Sequence, residues 1–185
     1  YNQGRMGRKH TKDELLAGAL TVAIDDGLSQ VTFGRVAKHL GINDRTVVYY
    51  FPSKDDLVTE VLLSVGAALQ DTLAPVFRAP AADHLELLRT AWPLLATADA
   101  DPVFALFFEA NGLAAAGRAP YATLVPQLVE RWFAWTPELL VGSEVEGQVE
   151  AETTIAVLDG LLLLRQLAGA EAAERAARRL RIIDA

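Results

Sequence analysis

The stretch from Thr32 to Lys54, TFGRVAKHLGINDRTVVYYFPSK, leaves few folds open to this chain. Two short helical patterns flank Gly41-Ile42-Asn43, and Pro52 closes the second. Thr32 is placed to cap the first helix, with Val31 and Val36 at the N′ and N4 positions of a hydrophobic staple. Asn43 or Asp44 caps the second. A scaffold helix, a tight turn and an exposed helix carrying Arg45, Thr46, Tyr49 and Tyr50 are the parts of a helix-turn-helix.

The flanking sequence supports the same architecture. Thr11 and Glu14 make a capping box ahead of an apolar face built from Leu15, Leu16, Ala19, Leu20, Ala23 and Ile24. Gly27 sits where that helix should end. Ser53 caps a fourth, long helix through Leu57, Val61, Val65 and Leu69, read as a link that ends before Pro75. Beyond it the patterning predicts helices over Asp83–Ala98 with a bend at Pro93, Asp101–Ala116, Pro120–Trp135, Ser143 to about Ala168, and Ala170–Ile183. Ser143 and Glu146 form a second capping box. No repeat and no alternating strand pattern occurs. The expectation is an all-α protein with an N-terminal three-helix helix-turn-helix domain over residues 1–55, basic arm included, and a larger helical domain over 56–185.

Charge divides the chain in the same way. Residues 1–54 hold 8 Lys+Arg against 5 Asp+Glu, while 55–185 hold 9 against 19. A basic head on an acidic body is the footprint of a nucleic-acid-binding module joined to another domain. The chain has no cysteine, which suits the cytoplasm and rules out disulfides and thiolate metal sites. His10, His39 and His84 are too scattered for a metal centre. No apolar run is long enough to span a bilayer and no signal peptide opens the chain. Met6, the single methionine, is a candidate natural start.

The exposed helix carries contact chemistry for a duplex. Arg45 and Thr46 lie in its first turn, where base edges are met. Arginine pairs bidentately with guanine, and threonine serves a phosphate or a thymine methyl. Tyr49 faces the same way as Arg45. Lys54 and the first N–H groups of the fourth helix offer a phosphate clamp. Arg5, Arg8 and Lys9 form a basic arm suited to a minor groove or simply to solvent.

In sequence, Thr11 to Leu57 resembles the N-terminal domain of the TetR family of bacterial transcriptional regulators. The resemblance runs through TKDELLAGALTVAIDDG, VTFGRVAKHLGIN and TVVYYFPSKDDL, about a quarter of the chain. It implies that Thr32, Arg45, Thr46, Tyr49, Tyr50 and Lys54 touch DNA. Val48 and the acidic Asp44 depart from the usual pattern. The resemblance further implies a helical C-terminal domain that forms a homodimer, binds a palindromic operator and takes a small-molecule effector, with no cofactor.

In the body, Ile155 to Leu164 is apolar nearly all round, so a partner subunit is the simplest cover for its second side. Phe104, Phe107, Phe108 and Asn111 share one helical face; Leu124, Leu128, Trp132 and Trp135 stripe the next; Trp92 lines an earlier one. These stripes either enclose a cavity or fill one another. The effector candidates are Trp92, Phe104, Phe108, Asn111, Leu128, Arg131, Trp132, Thr154 and Asp159, with Glu109 nearby. Asp159 is an acid inside an apolar run, and burying it unpaired is costly. A ligand, Arg165, Arg131 or the other subunit should answer it. A repressor released by a hydrophobic or aromatic effector is the leading reading. A DNA-binding dimer without an effector, or a helical enzyme using a buried carboxylate, are the alternatives. The enzyme lacks a nucleophile–base pair, a metal cluster and a phosphate loop.

Overall fold

The computed structural model describes residues 10–74, 80–141 and 144–184, with the side chains of 144 and 145 excepted. The expected basic arm, the helix end at Pro75 and the Ser143 cap fall outside these residues. Among those described the chain is helical. The helices are α1 (Lys12–Asp26), α2 (Phe33–Leu40), α3 (Asp44–Tyr50), α4 (Lys54–Leu73), α5 (His84–Leu95), α6 (Asp101–Ala115), α7 (Tyr121–Trp135), α8 (Glu144–Ala168) and α9 (Ala170–Arg179). The one β feature is an isolated parallel bridge between Ala81 and Leu140. The chain packs as two compact units, the first ending at Val61 and the second starting at Leu62.

In the first unit the caps act where the sequence places them. Thr11 Oγ1 accepts from the Glu14 N–H, and the Glu14 carboxylate accepts from the Thr11 N–H, both at 3.2 Å. Thr32 Oγ1 accepts from the Arg35 N–H at 3.2 Å. Val31 and Val36, the staple pair, are fully buried. Asn43 caps α3 by accepting from the Arg45 N–H at 2.9 Å. Helix α2 ends in a Schellman motif. Gly41 is left-handed (φ 67°), its N–H bonds the Lys38 carbonyl, and the Ile42 N–H returns to the Ala37 carbonyl. This turn sets α3 off from α2, and only glycine takes that backbone without strain. Gly18 serves a different end. A Cβ there would lie 2.8 Å from the Leu40 side chain, so its absence lets α1 and α2 approach closely.

The second unit is α5 to α9 with the later part of α4. Its core joins Leu88, Trp92 and Leu95 of α5 to Leu161 and Leu162 of α8 and Ala173 and Ala177 of α9. The small residues of α9 let it lie close against α8. Helix α5 is capped by Asp83 and continues through Pro93, which is exposed and two residues from its end. Asp101 opens α6, where Arg165 Nε and Nη2 reach its carboxylate at 2.6 and 2.9 Å. Helix α9 ends four residues before the expected Ile183. Arg181 adopts a left-handed backbone (φ 62°), and the Ile182 N–H bonds the Ala177 carbonyl in a second Schellman closure. Burial of Ile182 holds it. The Arg181 carbonyl also accepts from Arg89 Nε at 2.9 Å.

Candidate functional site

Helix α3 presents one face to solvent. Val47 is fully buried, Thr46 and Tyr50 are half-buried, and Arg45, Val48 and Tyr49 are exposed. Arg45, Val48 and Tyr49 stand three and four residues apart, so they share the outward face. Tyr49 is 79% exposed, an unusual position for an aromatic ring in a helix of seven residues. Its ring meets that of Tyr50 edge-on at 5.0 Å.

The six expected contact residues divide by role. Arg45 and Tyr49 are outward-facing. Thr32 and Thr46 are half-buried beside caps. The Tyr50 hydroxyl donates to the His10 carbonyl at 2.9 Å, which ties the start of the described chain to α3. Lys54 Nζ donates to the Ser29 carbonyl at 3.2 Å. The start of α4 is less open than expected. Ser53 Oγ accepts from the Asp56 N–H, and the Asp56 carboxylate accepts from both the Ser53 N–H and hydroxyl. That reciprocal cap uses donors that the sequence reading left for phosphate. Arg35 pairs with Asp26 at 2.7 Å. Val48 is the outward residue absent from the expected contacts; its spacing from Arg45 and Tyr49 was the signal.

The second unit holds a cavity of about 100 Å³, several times the ~10–15 Å³ that one water needs. Helix α4 contributes Leu62, Val65, Gly66, Leu69 and Leu73; α5 gives Leu95; α6 gives Phe104, Leu106, Phe107, Ala110 and Asn111. Helix α7 gives Val125, Leu128, Val129 and Trp132, and α8 gives Ile155, Leu158 and Asp159. Of the expected effector residues, Phe104, Asn111, Leu128, Trp132 and Asp159 therefore meet at one cavity.

The other four lie elsewhere. Trp92 is buried in the α5–α8–α9 core. Phe108 packs against that core and stacks edge-on upon Phe107 at 5.3 Å. Arg131 is exposed. Thr154 is buried with its hydroxyl donated to the Glu150 carbonyl of its own helix at 2.8 Å. Helix α4, expected as a link, supplies five wall residues. Its apolar stripe was legible, but a stripe alone does not say what it faces.

Two polar groups face an otherwise hydrocarbon and aromatic wall. Asn111 Oδ1 is buried without a hydrogen-bond partner. Burial pushes the Asp159 carboxyl up to about 6, and no hydrogen bond or ion pair offsets it. Neither expected arginine answers Asp159. Arg165, with its side chain only 9% exposed, is committed to Asp101. The described residues contain no cluster of three or more groups suited to a metal and no helix long and apolar enough to cross a membrane.

Residues 15–61 match the sequence model of bacterial regulatory proteins of the tetR family. This stretch is a tetR-family domain. Solved structures share the fold of the chain along nearly its whole length. A transcriptional regulator from Rhodococcus sp. Rha1 is 22% identical, covers 94% of each chain and superposes with a TM-score of 0.74. A TetR transcriptional regulator from Legionella pneumophila is 20% identical, covers 95% of this chain and 97% of its own, with a TM-score of 0.69. The multidrug binding protein EbrR, complexed with imidazole, is 24% identical over 100% of this chain and 97% of its own, with a TM-score of 0.68. No curated protein matches the chain by sequence. The helix-turn-helix thus lies inside a tetR-type domain, which supports DNA binding in transcriptional regulation.

Proposed function

We propose that the protein is a homodimeric repressor whose hold on a palindromic operator is released by a small apolar ligand. The carrying observation is the cavity: its aromatic and aliphatic wall contains the buried, unpartnered Asn111 Oδ1 and the Asp159 carboxyl, a composition that suits a ligand site better than a packed core. Arg45, Val48 and Tyr49 read base edges, while Thr32, Thr46 and Lys54 meet phosphate; Tyr50 chiefly braces α3. One helix, α4, begins at Lys54 and supplies Leu62 to Leu73 of the cavity wall. A ligand that prefers one placement of α4 shifts the population able to bind the operator.

Dimerisation has support in the exposed apolar residues of the last two helices. Leu163 and Leu167 of α8 and Leu180 after α9 are exposed, with Leu167 at 78%. A two-fold pairing of α8 and α9 would cover them in a four-helix interface. Half-sites should then lie about 34–36 Å apart or a multiple of that spacing. Gel shift with DNA fragments from beside the gene tests this reading: a specific duplex should be bound by a dimer and released by a cavity ligand. Binding only to unrelated duplexes with equal affinity contradicts it.

A further inference from the structure

The polar groups of the cavity have one sign of demand. Asn111 Oδ1 is a buried acceptor with no donor. Asp159 presents a carboxyl that no side chain of the described residues pairs with, and it is the single ionisable residue of the wall, since α4, α5, α6 and α7 contribute none. Helix α6, which carries Asn111, packs against α8, which carries Asp159. Phe104, Phe107 and Trp132 stand in the same wall. Aromatic faces attract cations and tolerate the apolar body that would bear one. An unpaired buried acceptor is costly, and a half-buried carboxylate without a counter-charge also carries a desolvation cost.

We propose that the cavity takes an apolar organic amine, held as its ammonium ion, whose N–H groups donate to Asn111 Oδ1 and the Asp159 carboxylate. This deepens, and rests on, the ligand-responsive reading given above. The alternatives fit less well. An alcohol has one donor for two acceptors. A quaternary ammonium answers the charge but leaves Asn111 Oδ1 unbonded. A carboxylate sets a second negative charge beside Asp159. Charge-assisted hydrogen bonds to a desolvated carboxylate are among the stronger polar contacts.

The test is calorimetric titration of the full chain at pH 7.5 with four probes on one apolar body: 4-phenylbutylamine, 4-phenylbutanol, 4-phenylbutyltrimethylammonium and 4-phenylbutyrate. The amine should bind roughly tenfold or more tightly than the alcohol or the trimethylammonium, and the carboxylate should bind weakest. Asp159→Asn, close to isosteric, should abolish the preference for amine over alcohol. Asn111→Leu should narrow the gap between amine and trimethylammonium. An amine no tighter than the alcohol, a carboxylate that binds best, or an Asp159→Asn protein that keeps the amine preference overturns the proposal. If the alcohol or carboxylate binds and releases DNA while the amine does not, the regulator reading stands and the amine inference alone falls. If none of the four binds, both fall.

Discussion

Arg165 grips Asp101 with two hydrogen bonds, Nε to Oδ1 at 2.6 Å and Nη2 to Oδ2 at 2.9 Å, and so leaves Asp159 on its own helix without a cation. Gln166 adds a third bond, from Nε2 to the Asp101 carbonyl at 2.9 Å. The late part of α8 is thereby pinned to the first turn of α6, where a carboxylate also faces the helix N-terminus. Removing one partner of this half-buried pair leaves the other charge unanswered. Arg165→Met should lower unfolding free energy by about 1–2 kcal/mol, and adding Asp101→Asn should restore part of it. Urea denaturation of the two single variants and the double variant measures this, and simple additivity would show that the pair is not coupled.

Asp159 sets a pH dependence of the opposite kind to a salt-bridged acid. Its folded value of about 6 lies above the ordinary 3.8. The folded state therefore holds the proton more tightly, and unfolding free energy falls as pH rises from about 4 through 6. The penalty is fully present above that window. Asp159→Asn removes it, so the variant should be more stable than the parent at pH 7.5, by about 1–3 kcal/mol. The gap should shrink by about 1 kcal/mol at pH 5. Paired urea melts at the two pH values check the sign, and a constant gap would contradict it.

Gly18 is required by the approach of α1 to α2. Its missing Cβ would lie 2.8 Å from Leu40 Cδ2 and Cγ. Gly18→Ala gains helix propensity yet forces Leu40 to move, and the overlap should win, at a net cost of about 1–3 kcal/mol. Leu40→Ala in the same chain should relieve the clash. Thermal melts of the single and double variants decide: a stabilised Gly18→Ala protein would mean that Leu40 yields freely.

Arg181 occupies a left-handed position that glycine takes more easily. Arg181→Gly should raise stability by about 0.5–1 kcal/mol, provided that the Arg89 bond to the residue 181 carbonyl persists. A loss of stability would show that the arginine side chain contributes more than its backbone strain removes.

The N-terminal unit was legible because its signals are local. Thr11 with Glu14, Thr32, Gly41 and Asn43 each fix a helix end through neighbours within a few residues, and the bonds found are those the sequence indicates. The outward turn of Val48 was recoverable from its spacing to Arg45 and Tyr49. In the body the helices were legible, but not which faces meet. Phe104, Phe107 and Phe108 all lie on one stripe and share one core, and only packing shows that Phe104 and Phe107 also line the cavity while Phe108 does not. Asp101 was read only as the start of a helix, because its partner Arg165 lies 64 residues away. The end of α9 also escaped notice, since an arginine in the left-handed turn carries no sequence signal comparable to glycine.

The central claim is that the outward face of α3 reads a specific duplex. The most direct measurement is fluorescence anisotropy with that duplex and with a scrambled one, comparing the parent with an Arg45→Ala, Tyr49→Ala double variant shown to be folded by circular dichroism. Specific affinity should fall by about 10²-fold or more, to the level of the scrambled duplex, while non-specific binding changes little. Unchanged discrimination between the two duplexes would contradict the account.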